Sequence, residues 1–268
     1  MDDTMMDTLA GAAQVSARIW GRDVTFTVAD ATDHIQSHHA RGEFYEPEEL
    51  DIIRQFCLFG SVFVDIGANV GNHSLFVGLY LRPERIIPFE VNPTAVAILT
   101  ANLAANGLEP LCELDHLGLG LSDHRGRAGK VVAPAQNLGG ARIRPGGAGA
   151  VKLRKGDAFL ADRRVDFIKI DVEGMEMDVL RGLAATIAAS KPRLFVEVDN
   201  VNRDAFLAWV DANRYLVVDR FQRYLANENF MLVSESDPVL LARHRHADML
   251  ERRRLRKLEE ADRGDGNA

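Results

Sequence analysis

The chain has 268 residues, 47% of them apolar, which is enough for one well-buried domain with or without an appendage. Its formal net charge of −7 argues against a general electrostatic attraction to nucleic acid or to an anionic membrane. The two cysteines, Cys57 and Cys112, stand in apolar surroundings and are typical of small core residues in a reducing compartment, not of a disulfide framework.

No stretch of the sequence approaches the ~20 apolar residues of a membrane span. The first residues, Met1 to Thr4, are acidic and lack the basic-then-apolar layout of a signal peptide. We therefore expect a cytoplasmic protein without a membrane span.

Residues 1–55 are expected to form an N-terminal β/α extension that caps the rest of the chain. Trp20 to Val28 alternates apolar and polar residues around a turn, which predicts a β-hairpin. Pro47 to Phe59 predicts a helix, because apolar residues recur on one face and Pro47 stands at an early position. Three histidines between these elements lack metal-ligand companions, and we expect them at the surface: His34, His38 and His39.

A glycine-punctuated loop follows the first strongly apolar strand. The run from Ser61 to Ile66 predicts a buried strand, and an apolar helical pattern begins at Ser74. Between them, Gly67 and Gly71 permit positive φ or a close approach of backbone to a ligand. The loop of such a strand–helix unit lies at the carboxyl end of a parallel strand, where open α/β sheets bind ligands. We expect a nucleoside-containing molecule to bind there.

The spacing of this loop differs from the dinucleotide fingerprint G-x-G-x-x-G. The pattern is Asp65-x-Gly67-x-Asn69-x-Gly71, which lacks the third-position glycine. An acid before the first glycine would repel a pyrophosphate but suits a cationic or hydroxyl-bearing ligand. The pattern therefore favours S-adenosylmethionine, with its sulfonium and ammonium groups, over a dinucleotide. A glycine-rich turn without a ligand is the simpler alternative.

A second strand, Arg85 to Glu90, also ends in an acid. Glu90 comes about 25 residues after Asp65, and an acid near this spacing commonly accepts the ribose hydroxyls of a bound nucleoside. The alternative is a surface acid beside a strand. Pro88 is unusual in a central strand, so it must lie where its missing N–H is not needed.

The remaining pattern alternates strands and helices. A helix is predicted for Thr94–Ala105, strand-like runs lie at Leu111–Leu114 and Leu117–Leu121, and residues 133–149 form a Gly/Pro/Ala-rich loop. Further strands are predicted for Val165–Val172, Arg193–Val198, Tyr215–Val218 and Phe230–Ser234, and helices for Met175–Ala189 and Asp204–Ala212. This alternation predicts a doubly wound α/β domain with a mostly parallel sheet over residues 56–238.

Residues 239–268 carry many basic and acidic side chains. They predict a charged, solvated helical tail or, alternatively, an arm that contacts a partner or RNA.

A third set of charged residues lies at the carboxyl end of the strand predicted for Val165–Val172. Lys169, Asp171 and Glu173 share one parity in an otherwise apolar strand, where charges are costly unless paired. A carboxylate at the mouth of the site could take a proton from a substrate hydroxyl. Three roles of these residues remain open. They could perform general-base chemistry, or Lys169 and Asp171 could form an ion pair while Glu173 caps the next helix. They could also bind a divalent ion, although this segment alone supplies too few oxygens for one. His73, in the first helical turn after the loop, could instead be the base or could cover the cofactor.

Several blocks in the same order resemble the FkbM family of S-adenosylmethionine-dependent methyltransferases. The matching blocks are, in chain order, Phe63–His73, Phe89–Pro93, Asn102–Gly107, Leu121–Asp123, Asn137–Ala141 and Asp166–Glu176, continued by Leu180–Gly182. Phe44–Glu48 resembles the entry segment of the family. The chain departs from the frequent Glu-Pro-Asn of the second strand, having Val91 after Glu90. The resemblance spans residues 40 to 200.

The resemblance implies a class I methyltransferase (Rossmann-like) fold and O-methylation of a hydroxyl on a natural product, sugar or glycolipid. It implies that S-adenosylmethionine is bound by residues of the blocks Phe63–His73, Phe89–Pro93 and Leu121–Asp123. These residues are Asp65, Gly67, Asn69, Gly71, Asn72, Glu90, Ser122 and Asp123. The candidates for orienting or deprotonating the acceptor are Asp171, Glu173 and His73. No metal is expected.

The partner is expected to be a small hydroxylated acceptor and not a nucleic acid, because neither residues 1–50 nor residues 133–149 carry a basic-aromatic patch. A homodimer through the N-terminal segment or the terminal helix is a possible arrangement. Two other functions stay open: a non-catalytic adenosyl-binding or scaffold protein, and an oxidoreductase with a nicotinamide cofactor, against which Asp65 and Asn69 argue.

Overall fold

The computed structural model describes residues 9–127, 129–132, 136–144 and 151–239. Thirteen strands lie within these ranges. In chain order the strands are β1 (Ala13–Ile19), β2 (Arg22–Val28), β3 (Val62–Ile66), β4 (Arg85–Phe89), β5 (Leu119–Leu121), β6 (Gly126–Arg127), β7 (Lys130–Val132), β8 (Arg142–Arg144), β9 (Lys152–Arg154), β10 (Phe167–Ile170), β11 (Arg193–Asp199), β12 (Tyr215–Phe221) and β13 (Asn227–Ser234). The helices used below are α1 (His34–His39), α2 (Pro47–Phe56), α3 (Asn72–Phe76), α4 (Pro93–Ala105), α5 (Asp157–Leu160), α6 (Glu176–Gly182), α7 (Ala184–Ser190) and α8 (Arg203–Ala212).

Six strands form the central sheet in the order β12-β13-β11-β10-β3-β4. The four strands β11, β10, β3 and β4 run parallel, and β13 and β12 are antiparallel additions at one end. The chain leaves β3 first for β4 on one side and later for β10 on the other, so the strand order reverses between β3 and β10. Ligands of open α/β sheets bind at such a reversal, outside the carboxyl ends of the strands. The predicted doubly wound, mostly parallel fold is confirmed.

Alternate residues of the central strands enter two different cores. Val64 and Ile168 face one side, where they pack with residues of α6, α7 and α8. Phe63, Phe167 and Phe195 face the other side, where they pack with β2, α2, α3 and α4. Because side chains alternate along a strand, Asp65 and Lys169 emerge on the same face as these phenylalanines. The polar groups at the strand ends therefore point toward the N-terminal part of the chain.

Most predicted elements are present with shifted ends, but β8 lies within the loop predicted for residues 133–149, and three further expectations are wrong. Leu111–Leu114 is not a strand: residues Glu109–Leu111 form a 3₁₀ turn, and pairing is limited to a single bridge between Ile86 and Cys112. The helix predicted for Met175–Ala189 is divided into α6 and α7. His39 is fully buried, stacked on the Phe26 ring with centroids 4.3 Å apart, and not at the surface.

The N-terminal segment is tied to the central sheet. Trp20 and Gly21 both have positive φ, which makes the tight turn of the β1–β2 hairpin. Asp33 caps α1 by accepting the Gln36 N–H. The α2 residues Leu50 and Ile53 lie in the same core cluster as Phe63. The domain limits at 55 and 238 stay predictions, and the charged tail lies outside the described residues. Within the described ranges, no helix has the length and apolar character needed to cross a bilayer.

Gly182, the last residue of α6, leaves space for a neighbouring backbone. A Cβ built on it would overlap the carbonyl oxygen of Ser122, which is fixed backbone. We expect Gly182→Ala to destabilise the protein by about 1–3 kcal/mol, the usual cost of forcing extra atoms into a packed site. Thermal unfolding would show a lower Tm, and because Gly182 does not have a positive φ, the loss would report the contact with Ser122 and not backbone strain. An unchanged Tm for Gly182→Ala would contradict the tight contact.

Candidate active site

The loop after β3 lies directly against the end of β10. Gly67 has φ of +77°, and a Cβ there would overlap the carbonyl oxygen of Asp171. The N–H groups of Gly67 and Ala68 both donate to the carbonyl of Phe89, which holds the loop onto β4. Asn69 and Gly71 also have positive φ. Only a glycine at position 67 combines this backbone conformation with this contact, which explains the first glycine of the loop.

Glu90 is held by backbone donors at the end of β4. Its Oε1 accepts the N–H groups of Val91 and Asn92, and its Oε2 accepts that of Asn69. Burial raises the pKa of this carboxyl, and the three backbone donors lower it. A carboxylate has about four lone-pair sites, so Oε2 retains the capacity to accept one more hydrogen bond. Glu90 is therefore a fixed acceptor facing a cavity.

Lys169 links the ends of β3 and β10 electrostatically. Its side chain is 4% exposed, and Nζ lies 2.9 Å from the Gly67 carbonyl, 3.1 Å from Asp171 Oδ2 and 3.6 Å from Asp65 Oδ1. Burial alone would lower the pKa of Lys169, but attraction to Asp171, Asp65 and Glu46 outweighs it and raises that pKa. The lysine is therefore charged and holds Asp171 in place.

Two adjoining cavities open at this edge of the sheet. The narrower one, about 70 Å³, is lined by Glu90 together with apolar side chains such as Phe89 and Leu121. The larger one, about 660 Å³, lies on the side of β11 and the N-terminal segment. Both are lined by Gly67, Asn69, Gly139, Asp171 and Glu173. One elongated ligand could thus occupy the narrow cavity and reach the larger one past Asp171.

The structure brings most of the predicted site residues to these cavities. Those that line them are Gly67, Asn69, Asn72, His73, Glu90, Asp171 and Glu173. Asp65 is fully buried beneath them, where it bonds Ser74 and faces Lys169. Gly71 lies inside the loop against Leu99. Ser122 and Asp123 follow β5, and neither belongs to the lining of the two cavities, since Asp123 instead pairs with Arg181 and His124.

His73 is a buried, neutral imidazole at the wall of the larger cavity. Its side chain is 8% exposed, and Nε2 has no hydrogen-bond partner among the described residues, with Glu46 Oε2 3.6 Å away. Burial, and then the charge of Lys169, hold the pKa of His73 well below its usual range. Burial also raises the pKa of Glu46 to about 8. An unprotonated imidazole nitrogen can accept a hydrogen bond from a bound hydroxyl.

Residues from distant segments cover the larger cavity. Tyr45, Glu46 and Tyr224, here called the roof, line it from the segment before α2 and from the connection between β12 and β13. The two tyrosine hydroxyls are 2.8 Å apart. The roof is fastened where Arg223 donates to both oxygens of Glu49, a carboxylate 1% exposed.

Glu197, at the end of β11, also lines the cavity and was not predicted. Its signal in the sequence was the same as that of Asp171: an acid near the carboxyl end of an apolar strand, in Leu194–Asp199. Tyr224 has no such signal, because it lies in the connection between β12 and β13.

Comparison with known proteins assigns this arrangement to a family. Residues 65–226, more than half of the chain, match the family described as the methyltransferase FkbM domain. The hexuronic acid methyltransferase AglP of Haloferax volcanii is 23% identical over 214 residues, covering 70% of this chain and 84% of that protein. Methyltransferase sdnD of Sordaria araneosa is 28% identical over 157 residues, covering 45% of this chain and 59% of that protein, so the chain spans less than two thirds of its length.

The two solved structures described next have TM-scores below 0.5. Methyltransferase FkbM from Methylobacillus flagellatus KT is 19% identical with a TM-score of 0.49, covering 73% of this chain and 52% of that chain. The Bacillus subtilis tRNA methyltransferase TrmK is 15% identical with a TM-score of 0.46, covering 73% of this chain and 68% of that chain. The family match, over a range that begins at the acid before the glycine loop and includes Glu90 and Asp171, shows that the chain belongs to the FkbM methyltransferase family.

Proposed function

We propose that this methyltransferase transfers the methyl group of S-adenosylmethionine to a hydroxyl of a small-molecule natural product, sugar or glycolipid. The observation that carries the proposal is that the glycine loop, Glu90 and Asp171 line two adjoining cavities at the reversal of the strand order. The name of one relative, a hexuronic acid methyltransferase, agrees with a sugar acceptor. A cytoplasmic location and a homodimer stay predictions.

The residues present fit the proposed cofactor. Glu90 Oε2 has capacity for a ribose hydroxyl, and Phe89, Leu119 and Leu121 give the narrow cavity the apolar surface that an adenine ring needs. Gly67 lies directly against the Asp171 carbonyl, which brings the glycine loop and Asp171 together where the two cavities meet. The two ends of the cofactor would then lie in different surroundings, with the adenine enclosed and the methionine end facing the acceptor cavity.

In the proposed mechanism, the cofactor supplies an activated methyl group on a sulfonium, and the protein supplies position. Asp171, fixed by Lys169, accepts a hydrogen bond from the acceptor hydroxyl and receives its proton. The roof and the loop around Gly139 exclude water and keep the hydroxyl in line. Glu173 and His73 line the same cavity and are the two other groups able to take the proton.

A binding measurement tests the cofactor. We expect S-adenosylhomocysteine to bind with a micromolar Kd in calorimetry and NADH not to bind. Glu90→Gln should weaken S-adenosylhomocysteine binding by about 10- to 100-fold, because a hydrogen bond to a charged group contributes roughly 1.5–3 kcal/mol. Glu84→Gln is the matched control, since Glu84 precedes the same strand at its opposite end and is exposed.

Three results would count against the proposal. Tight binding of NADH would favour an oxidoreductase. An unchanged Kd in Glu90→Gln, with an unchanged Tm, would remove Glu90 from the cofactor site. Binding of S-adenosylhomocysteine without methyl transfer from S-adenosylmethionine to any member of a broad hydroxyl panel would favour a non-catalytic adenosyl-binding protein.

A further inference from the structure

Three carboxylates converge in the larger cavity beside the proposed reaction centre. One oxygen from each of Asp171, Glu173 and Glu197 lies within 4.8 Å of the other two. Asp171 and Glu197 are on neighbouring strands, because β10 pairs with β11 in a register that places Ile170 opposite Val196. Like charges at this separation repel one another, so the cluster needs positive charge nearby.

The chain supplies that charge to two of the three carboxylates. Asp171 Oδ2 is bonded to Lys169 Nζ at 3.1 Å, and Glu173 Oε2 is bonded to Arg142 at 3.0 Å. The Glu197 side chain has no hydrogen-bond or ion-pair partner within the part of the chain that the structure describes. Burial, followed by the charges of Asp171 and Glu46, raises the pKa of Glu197 to about 10. These surroundings favour a proton on Glu197, which a cation bound beside it would displace.

The lysine and the arginine in the described lining of the larger cavity are already paired. Five acidic residues line the cavity, and Lys169 and Arg142 are bonded to three of them: Asp171, Glu173 and Asp199. A uronic acid carries a carboxylate of its own, to which this lysine and this arginine offer no unpaired positive charge. The acceptor named for AglP therefore does not suit this cavity.

The position of Glu197 separates it from the cofactor. Across the sheet, the glycine loop follows β3 and Glu90 follows β4, whereas β11 lies beyond β10 on the far side. Glu197 lines the larger cavity and not the narrow one. A second polar group beside this cavity, Nε2 of the buried His73, has no hydrogen bond among the described residues, and Glu46 Oε2 is 3.6 Å from it. Both groups retain capacity for a hydrogen bond to a molecule other than the cofactor.

We infer that the acceptor carries a protonated amine, bound by Glu197 with Asp171 and Glu173, on a carbon adjacent to or near the carbon that bears the methylated hydroxyl. The inference rests on the proposed function and specifies its acceptor as an amino sugar or a related amino alcohol. The amine and the hydroxyl must be close, because both contact Asp171 at hydrogen-bond distances of about 3 Å. An ammonium suits the cluster better than a divalent ion, since Lys169 and Arg142 already occupy one oxygen each and would repel a doubly charged ion.

A matched series of sugars tests the inference. The probes are the methyl glycosides of glucosamine, N-acetylglucosamine and glucuronic acid, titrated onto protein saturated with S-adenosylhomocysteine and followed by ligand-observed NMR. We expect the amine to bind at least about tenfold more tightly than its N-acetyl form, the effect of one charge-assisted contact. The glucuronide should be the weakest. Glu197→Gln should reduce the amine preference to less than about threefold, and Glu235→Gln, at an exposed carboxylate outside the cavity, should leave it unchanged.

The other occupants of the cluster give different results, and each would overturn the inference. Equal binding of the amine and its N-acetyl form, or no binding of any probe, would show that no ammonium site exists. Binding of Mn²⁺ alone, lost in Glu197→Gln, would identify a metal site. A weaker Kd for S-adenosylhomocysteine in Glu197→Gln would assign the carboxylate to the cofactor. Absence of S-adenosylhomocysteine binding to the wild type would instead contradict the proposed function itself.

Discussion

Replacing Lys169 by methionine should destabilise the protein by about 3–5 kcal/mol, the typical cost of removing one partner of a buried ion pair. Methionine fills a similar volume, so the effect isolates the charge. The variant leaves Asp65, which is fully buried, with Ser74 as its remaining side-chain partner, and releases Asp171 and the Gly67 carbonyl. Urea denaturation would measure the free energy of unfolding.

The loss should depend on pH in a defined direction. Without the lysine, the pKa of Asp65 in the folded variant should lie above its value of about 3.9 in the unfolded chain, because a buried carboxylate without a cation is costly. A group whose pKa is raised on folding binds more protons in the folded state, so its stability contribution is lost as pH rises through the folded pKa. The difference between Lys169→Met and the wild type should therefore be larger at pH 8 than at pH 5.

The double variant Lys169→Met with Asp65→Asn provides the control. An amide needs no counter-charge, so the second substitution should recover part of the lost stability at pH 8. A single variant as stable as the wild type at pH 8 would show that Lys169 is not the group that neutralises these carboxylates.

Asp171→Asn should lower kcat by about 10²–10⁴-fold, the range that a positioned general base contributes. The asparagine oxygen can still accept the Lys169 hydrogen bond, so the geometry is kept while the basicity is lost. The Kd of S-adenosylhomocysteine should change by less than about threefold. The measurement is release of S-adenosylhomocysteine, as a function of pH, with an acceptor that the wild type methylates.

Two further variants compare the other candidates for the base. Glu173→Gln and His73→Gln each remove a titratable group from the same cavity. If His73→Gln shows the large fall in kcat and Asp171→Asn does not, the imidazole takes the proton. If Asp171→Asn weakens cofactor binding as much as it slows turnover, the residue holds the cofactor and is not the base.

The strand-end acids were predictable from the sequence because charge in an apolar strand is costly. Glu90 and Asp171 stand at the ends of otherwise apolar runs, and both line the cavities. Glu197 also stands near the carboxyl end of an apolar strand, yet it was not among the predicted site residues. Pro88 was also correctly interpreted, since β4 is the last strand of the six-stranded sheet and tolerates a residue without an N–H.

The partners of these acids could not be predicted, because they come from elsewhere in the chain. Asp65 was expected to contact the ligand, yet the register of β3 and β10 places it opposite Lys169. The break between α6 and α7 is stabilised by Asp157, which accepts the N–H groups of Ala185 and Thr186 from a distant position in the sequence. No local pattern shows a helix cap supplied in this way. The roof residues Tyr45 and Tyr224 meet for the same tertiary reason.

The separate origin of the roof has a consequence for how acceptor preference can change. The proposed cofactor contacts come from the ends of β3 and β4, whereas the roof comes from the segment before α2 and from the connection between β12 and β13. Substitutions at Tyr224, or grafts of that connection from another member of the family, would alter which molecules enter without rebuilding the adenosyl half. Acceptor range and methyl-donor affinity are thus separable traits that evolution or an engineer can vary one at a time.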